Sequence, residues 1–196
     1  MFKRGFVLSC LLGAWLLAGC AAPVEPRRFP DITFMHLPAI KLDVARIRYE
    51  PRFQPSLAPP QVGHDFPTPP TKAMEAWIRD RLRAVGQSGE ARITIKKASA
   101  TETKLAVERG VKGVFQTDQA WRYDIEVSMA VAAADPNRGL KAEACARAAH
   151  KRTVPEDISL RDREEVWFTI TEKTMKSFDR SMEAQIRKNL SRFITP

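Results

Sequence analysis

The sequence predicts an α+β domain: an antiparallel sheet of about four strands with two helices packed on one face, in the order β-α-β-β-β-α. Three patterns predict it. Over residues 119–131, apolar Trp121, Tyr123, Ile125, Val127, Met129 and Val131 alternate with polar Arg122, Asp124, Glu126 and Ser128, the period-two mark of a strand with one buried face. Over residues 159–194, a stripe of Trp167, Ile170, Thr174, Phe178, Met182, Ile186, Leu190 and Phe193 recurs at helical spacing. Between them, Leu140, Ala142, Ala144, Ala146 and Ala148 put mostly small side chains on one strand face, where a helix can approach closely.

Residues 40–49 are expected as the first strand. Ile40, Leu42 and Val44 alternate, then Ala45, Ile47 and Tyr49 alternate in the opposite phase, which places a bulge near Val44. Residues 51–70 carry seven prolines and read as a long loop, a length often tied to function. A helix is expected over 71–85, with Met74, Trp77, Ile78, Leu82 and Val85 on one face. Thr68 or Thr71 suits its N-cap, and Gly86 suits its end. Residues 91–101 form the next strand, with Ile93 and Ile95 inward; residues 104–118 read as an exposed loop carrying Val111, Val114 and Phe115. The Asp135-Pro136-Asn137-Arg138-Gly139 turn makes 140–151 the hairpin partner of 119–131. The second helix spans 159–194. Ser159 is its N-cap, Asp162, Glu164 and Glu165 stand at the positive end of its dipole, and Lys188 and Arg192 at the negative end.

Ahead of this domain, assigned to residues 40–196, the chain has two unlike segments. Lys3 and Arg4 precede an apolar run over residues 6–17, too short to cross a hydrocarbon core of about 30 Å and suited to a signal peptide. Residues 20–39 contain Pro23, Pro26, Pro30 and Pro38 and read as an extended tether, with Arg27 and Arg28 available to anionic headgroups. Removing residues 1–19 takes away two cations and no acid, so the formal charge falls from +9 to +7. Cys10 leaves with the leader, and Cys145 is then the only cysteine beyond Cys20, so no internal disulfide is expected. Cys145 reads as a small residue packed in the sheet.

Leu17-Ala18-Gly19-Cys20 resembles the lipobox of bacterial lipoproteins. The resemblance implies cleavage of signal peptide 1–19 and a diacylglycerol joined to the Cys20 thiol. Small Ala18 and Gly19 admit a peptidase, and only a thiol makes the thioether. Ala21 and Ala22 follow in place of the aspartate that retains such proteins in the inner membrane, so the resemblance implies the outer membrane, facing the periplasm. With this anchor in front, the element order is similar to small Gram-negative envelope lipoproteins of the lipopolysaccharide-assembly and ABC-transport auxiliary type. No motif in the mature chain carries a site across from them.

Catalytic chemistry finds little support. His36, His64 and His150 have no metal-ligand spacing around them, and no G-x-S-x-G, H-E-x-x-H or phosphate-binding glycine loop is present, so no metal, cofactor or catalytic residue is assigned. His64-Asp65 is the single acid–base pair worth testing, and as a loop dipeptide it also has an ordinary explanation. Positive charge in this compartment meets lipid phosphates and glycan carboxylates; nucleic acid is not an expected partner. Arginine grips phosphate with paired hydrogen bonds, which makes Arg79, Arg83, Arg180 and Arg187 the candidates for anion binding, with a solvated face as the alternative. The expected function is therefore a membrane-anchored, non-enzymatic accessory or binding component of envelope assembly or transport, partnered by the membrane through Cys20 and by an envelope protein, anionic lipid or glycan. The alternatives are an envelope-acting enzyme without a recognisable motif, and a structural lipoprotein that self-associates through the long helix or the loop around Phe115.

Overall fold

The computed structural model describes residues 29–106 and 119–195. The leader, Cys20 and the loop with Val111, Val114 and Phe115 lie outside them. The architecture is α+β, with two helices and a mixed sheet that is mostly antiparallel. The strands are β1 (Ile40–Leu42), β2 (Arg46–Glu50), β3 (Leu82–Ala84), β4 (Glu90–Lys104), β5 (Gln119–Asp135) and β6 (Leu140–Pro155); the helices are α1 (Pro70–Arg81) and α2 (Leu160–Asn189). The main sheet has the order β2-β4-β5-β6, while β1 and β3 form a separate two-stranded pair. Side chains from α1 (Met74, Trp77), α2 (Phe178, Met182) and the sheet (Ile93, Val127, Met129, Ala144) share one core, so both helices cover the same face.

Three expectations need correction. First, β4, β5 and β6 are antiparallel, but β2 runs parallel to β4, with Ile47 opposite Ala91 and Tyr49 opposite Ile93. A parallel neighbour requires a crossover, and the loop after β2 together with α1 provides one. Second, residues 40–49 are two strands in two sheets. The change of phase is real, but it marks the corner between them, where the Asp43 amide donates to the Phe193 carbonyl at 2.7 Å and Val44 is fully buried. The bulge falls elsewhere, in β4 between Ile95 and Lys97. Third, α1 stops at Arg81. Leu82 turns to extended backbone, and β3 pairs in parallel with β1, with Leu82 opposite Ile40. Leu82 is buried by that pairing, whereas Val85 is left 46% exposed. Gly86 serves close passage instead of ending a helix: a Cβ there would lie 2.5 Å from Asp43 Oδ1 and 2.6 Å from the Val44 nitrogen.

The ends of the helices follow local chemistry. Ser159 caps α2 as expected, its hydroxyl accepting from the Asp162 amide at 3.1 Å. No described side chain, Thr68 and Thr71 included, caps α1, which begins on Pro70, where a missing N–H costs nothing. After α2 a single 3₁₀ turn at Ser191–Phe193 buries Phe193, and Ile194 bridges to Leu42.

The predicted helical stripe is buried along its length, from Trp167 to Phe193. Thr174 of that stripe and its buried neighbour Thr171 cost little there, because Thr171 and Thr174 donate to the Trp167 and Ile170 carbonyls at 2.8 and 2.7 Å. α2 lies chiefly over β6, where Ala144, Ala146 and Ala148 make room for it. The other sheet face is charged and open, with Glu126 held between Lys97 (2.7 Å) and Arg147 (2.8 Å). At the β5–β6 turn, Gly139 takes a left-handed φ of 63°, and Arg138 ties buried Asp135 to Asp43 of the β1–β2 corner, both at 2.6 Å. The Ser88 hydroxyl, bonded at 2.6 Å, and Arg138 hold the Asp135 carboxyl below the ordinary aspartate range, outweighing its burial.

Candidate functional site

Residues 30–38, read from the sequence as part of the tether, dock across the two helices as a strap. Ile32 and Phe34 are 9% and 5% exposed and belong to the main core. Polar bonds hold the strap down. The Phe34 amide donates to Asp80 Oδ2 at 2.9 Å, and the Arg81 guanidinium donates to the Pro38 carbonyl.

The same cluster joins the helices. Arg81, with 1% of its side chain exposed, donates through Nε to Asp179 Oδ1 at 2.8 Å and also bonds Glu183. Trp77 Nε1 donates to the same Asp179 oxygen at 2.8 Å. A buried guanidinium thus has a partner for each nitrogen, the condition under which a buried charge is tolerated. Burial pushes the Glu183 carboxyl up, but its bond to Arg187 and the charges of Arg81 and Arg187 outweigh this and leave it below the ordinary glutamate range.

Between the strap and α2 lies a groove of about 470 Å³. Its wall is apolar, made by Ile32, Phe34 and Leu37 from the strap and Phe168 from α2. Phe29 stacks on Phe168 with ring centroids 5.2 Å apart, extending the apolar wall toward the N-terminal side. The rim is charged: Lys176 and Arg180 stand one turn apart on α2, with His36, Glu172 and Asp31 also lining it. Neither Lys176 nor Arg180 has an ion-pair partner among the described residues. On the far side of the strap a second cavity of about 420 Å³ is polar, with Lys72, Glu75 and Arg79 from α1.

The structure separates the four arginines chosen from sequence. Arg180 lines the apolar groove and has no ion-pair partner among the described residues. Arg79 lines the polar cavity and donates to Asp80 Oδ1 at 3.1 Å. Arg83 is turned onto the Arg79 and Leu82 carbonyls, and Arg187 onto Glu183 at 2.6 Å. The residues missed by sequence reasoning are the strap and Phe168 with Lys176. A signal was present: Ile32 and Phe34 alternate with Asp31 and Thr33, an unusual pattern for a free tether.

The remaining candidates do not converge. His64 Nε2 is 3.5 Å from Asp65 Oδ1, both substantially exposed. His64 also lines a cavity of about 320 Å³ with Ser56, Ser99 and Lys72, whose lining contains no carboxylate. His150 Nδ1 lies 3.4 Å from Thr174 Oγ1. Cys145 is exposed on the open sheet face, not packed, because Ala144 and Ala146 occupy the core-facing positions on either side; its sulfur is 3.6 Å from Lys96 Nζ. Among the described residues no cluster of His, Cys, Asp and Glu forms a metal site, and no helix is long and apolar enough to cross a membrane. The self-association stripe on α2 is consumed by the chain's own core. Compared with known proteins, the chain matches no family model and no curated protein.

Proposed function

We propose that this chain is a lipid-anchored, non-enzymatic lipoprotein of a bacterial envelope, seated on the periplasmic face of the outer membrane, that holds an anionic lipid as an accessory of envelope assembly or transport. The observation that carries this reading is the groove between the strap and α2: an apolar wall beside two cations without partners among the described residues, Lys176 and Arg180. An acyl chain against Ile32, Phe34, Leu37 and Phe168 gains about 0.8 kcal/mol for each buried CH₂. The rim then orients it. Asp31 and Glu172 repel a phosphate, so the headgroup belongs at the Lys176–Arg180 end.

The position of the strap adds a second argument. Only residues 21–29 join Cys20 to the groove, a length that spans at most about 32 Å when fully extended. With two or more acyl chains on Cys20 release from the bilayer is negligible, and the groove stays within that distance of the headgroups.

Full-length protein extracted from membranes in mild detergent is the material for the test. It is titrated with fluorescent phosphatidylglycerol and with fluorescent phosphatidylcholine. The anionic lipid is expected to bind more tightly, and Lys176→Glu with Arg180→Glu to weaken it about tenfold, or about 1.4 kcal/mol. Equal affinity for both lipids, or indifference to the charge reversal, defeats the lipid reading. An intact mass showing an unmodified residue 20 defeats the anchor.

A further inference from the structure

β6 ends the sheet. β5 pairs along one side of it, and no described residue pairs along the other. Its sixteen residues therefore turn a row of backbone N–H and C=O groups outward. Lys141, Glu143, Cys145, Arg147, Ala149 and Lys151 follow one another along the open face of this edge. Glu143 lies 3.9 Å from Lys96, and Arg147 is bonded to Glu126. Lys141, Lys151 and the adjoining Arg152 make no ion pair with any described residue. The row thus has its single acid within reach of Lys96 and, among the described residues, unpaired positive charge at both ends.

α2 stands over this strand and shapes what the edge accepts. A cleft of about 450 Å³ is lined by His150, Lys151 and Arg152 from β6 and by Asp162, Glu165, Val166, Ile170 and Lys173 from α2, so the two acids of α2 keep an incoming segment's carboxylates on the open-face side of the edge, by Lys141 and Lys151. His150 and Lys151 point to opposite sheet faces, so a cleft reached by both straddles the strand edge. An extended strand needs only about 4.8 Å of room beside β6, whereas a second copy added with its strand antiparallel would also have to seat its own α2 beside this one, at about 8–10 Å.

We propose that the free edge of β6 takes up an extended, acidic segment of another protein as a fifth strand. Main-chain hydrogen bonds supply the pairing. Acidic side chains of the segment face Lys141 and Lys151, and the alternate side chains, small and apolar, pass beneath α2 against Val166 and Ile170. This surface shares no residue with the lipid groove and stands independently of it.

The probe is a ten-residue peptide of alternating Glu and Val, compared with one of alternating Lys and Val, each titrated into the full-length protein in detergent micelles. Binding is read by fluorescence polarisation and its location by amide hydrogen exchange. The Glu–Val peptide is expected to slow exchange along β6. Lys141→Glu with Lys151→Glu, both on exposed positions, is expected to weaken it about tenfold and to reverse the preference between the peptides. The proposal is overturned if neither peptide protects β6, in which case the lysines guard the edge against pairing. It is equally overturned if both peptides bind alike, or if protection appears only in the strap groove.

Discussion

The two sides of α2 carry cavities of nearly equal size and opposite character. Toward the strap the groove is about 470 Å³ and walled by Ile32, Phe34, Leu37 and Phe168. Toward the β6 edge the cleft is about 450 Å³, and its lining includes His150, Lys151, Arg152, Asp162, Glu165 and Lys173. Volume therefore does not distinguish them. The difference lies in what covers each side. A folded-back segment supplies its own apolar side chains and leaves a nonpolar pocket, whereas a bare strand edge offers backbone polar groups and solvated charge. The first suits an acyl chain, the second a peptide backbone.

The contrast breaks most completely if the strap is released. Asp179→Ala leaves Arg81 and the Trp77 indole without their shared acceptor, and breaking a buried pair in this way costs roughly 3–5 kcal/mol. Urea denaturation should report that loss together with faster proteolysis of residues 30–38, while protection of β6 survives in the folded fraction. A loss below about 1 kcal/mol would mean that the cluster does not hold the two helices together.

Charge reversal sharpens the comparison. Lys176→Glu with Arg180→Glu is expected to lower anionic-lipid affinity about tenfold, while Lys173→Glu, one turn away but facing the cleft, leaves it unchanged. Sensitivity to Lys173 would show that the lipid does not distinguish the two sides of the helix. A smaller effect concerns the end of α2 nearest the cleft. Ser159→Ala removes the bond to the Asp162 amide and should cost about 1 kcal/mol, read as a lower thermal midpoint with no change in lipid affinity.

Acid should loosen the contact between the two helices. Glu183 titrates below the ordinary glutamate value because Arg187 and Arg81 outweigh its burial. Its contribution to stability is complete above the unfolded-chain value of 4.5 and is lost as pH falls through the lower folded value. The thermal midpoint is therefore expected to drop as pH falls below about 4.5, and Glu183→Gln to flatten part of that drop. Glu126, also held below 4.5 by Lys97 and Arg147 against its burial, loses its contribution in the same direction on the open sheet face.

Residue order by itself determined the class of fold, the buried faces of β5 and β6, the stripe of α2 and the Ser159 cap. These are local periodicities, and a face with period 2 or 3.6 has only one way to be buried. It also marked the phase change at Val44 and the alternation of Ile32 with Phe34, without saying what either meant. The tertiary structure alone decided that β2 lies parallel to β4, that α1 yields to a strand at Leu82, and that residues 30–38 dock instead of dangling. It alone brought Arg81 to Asp179, 98 positions away, and left Arg180 without an ion-pair partner among the described residues while Arg79, Arg83 and Arg187 were committed. The reason is physical: which strand, helix or counter-ion meets a given residue depends on distant segments competing for the same surface, and no window of neighbouring residues contains that competition.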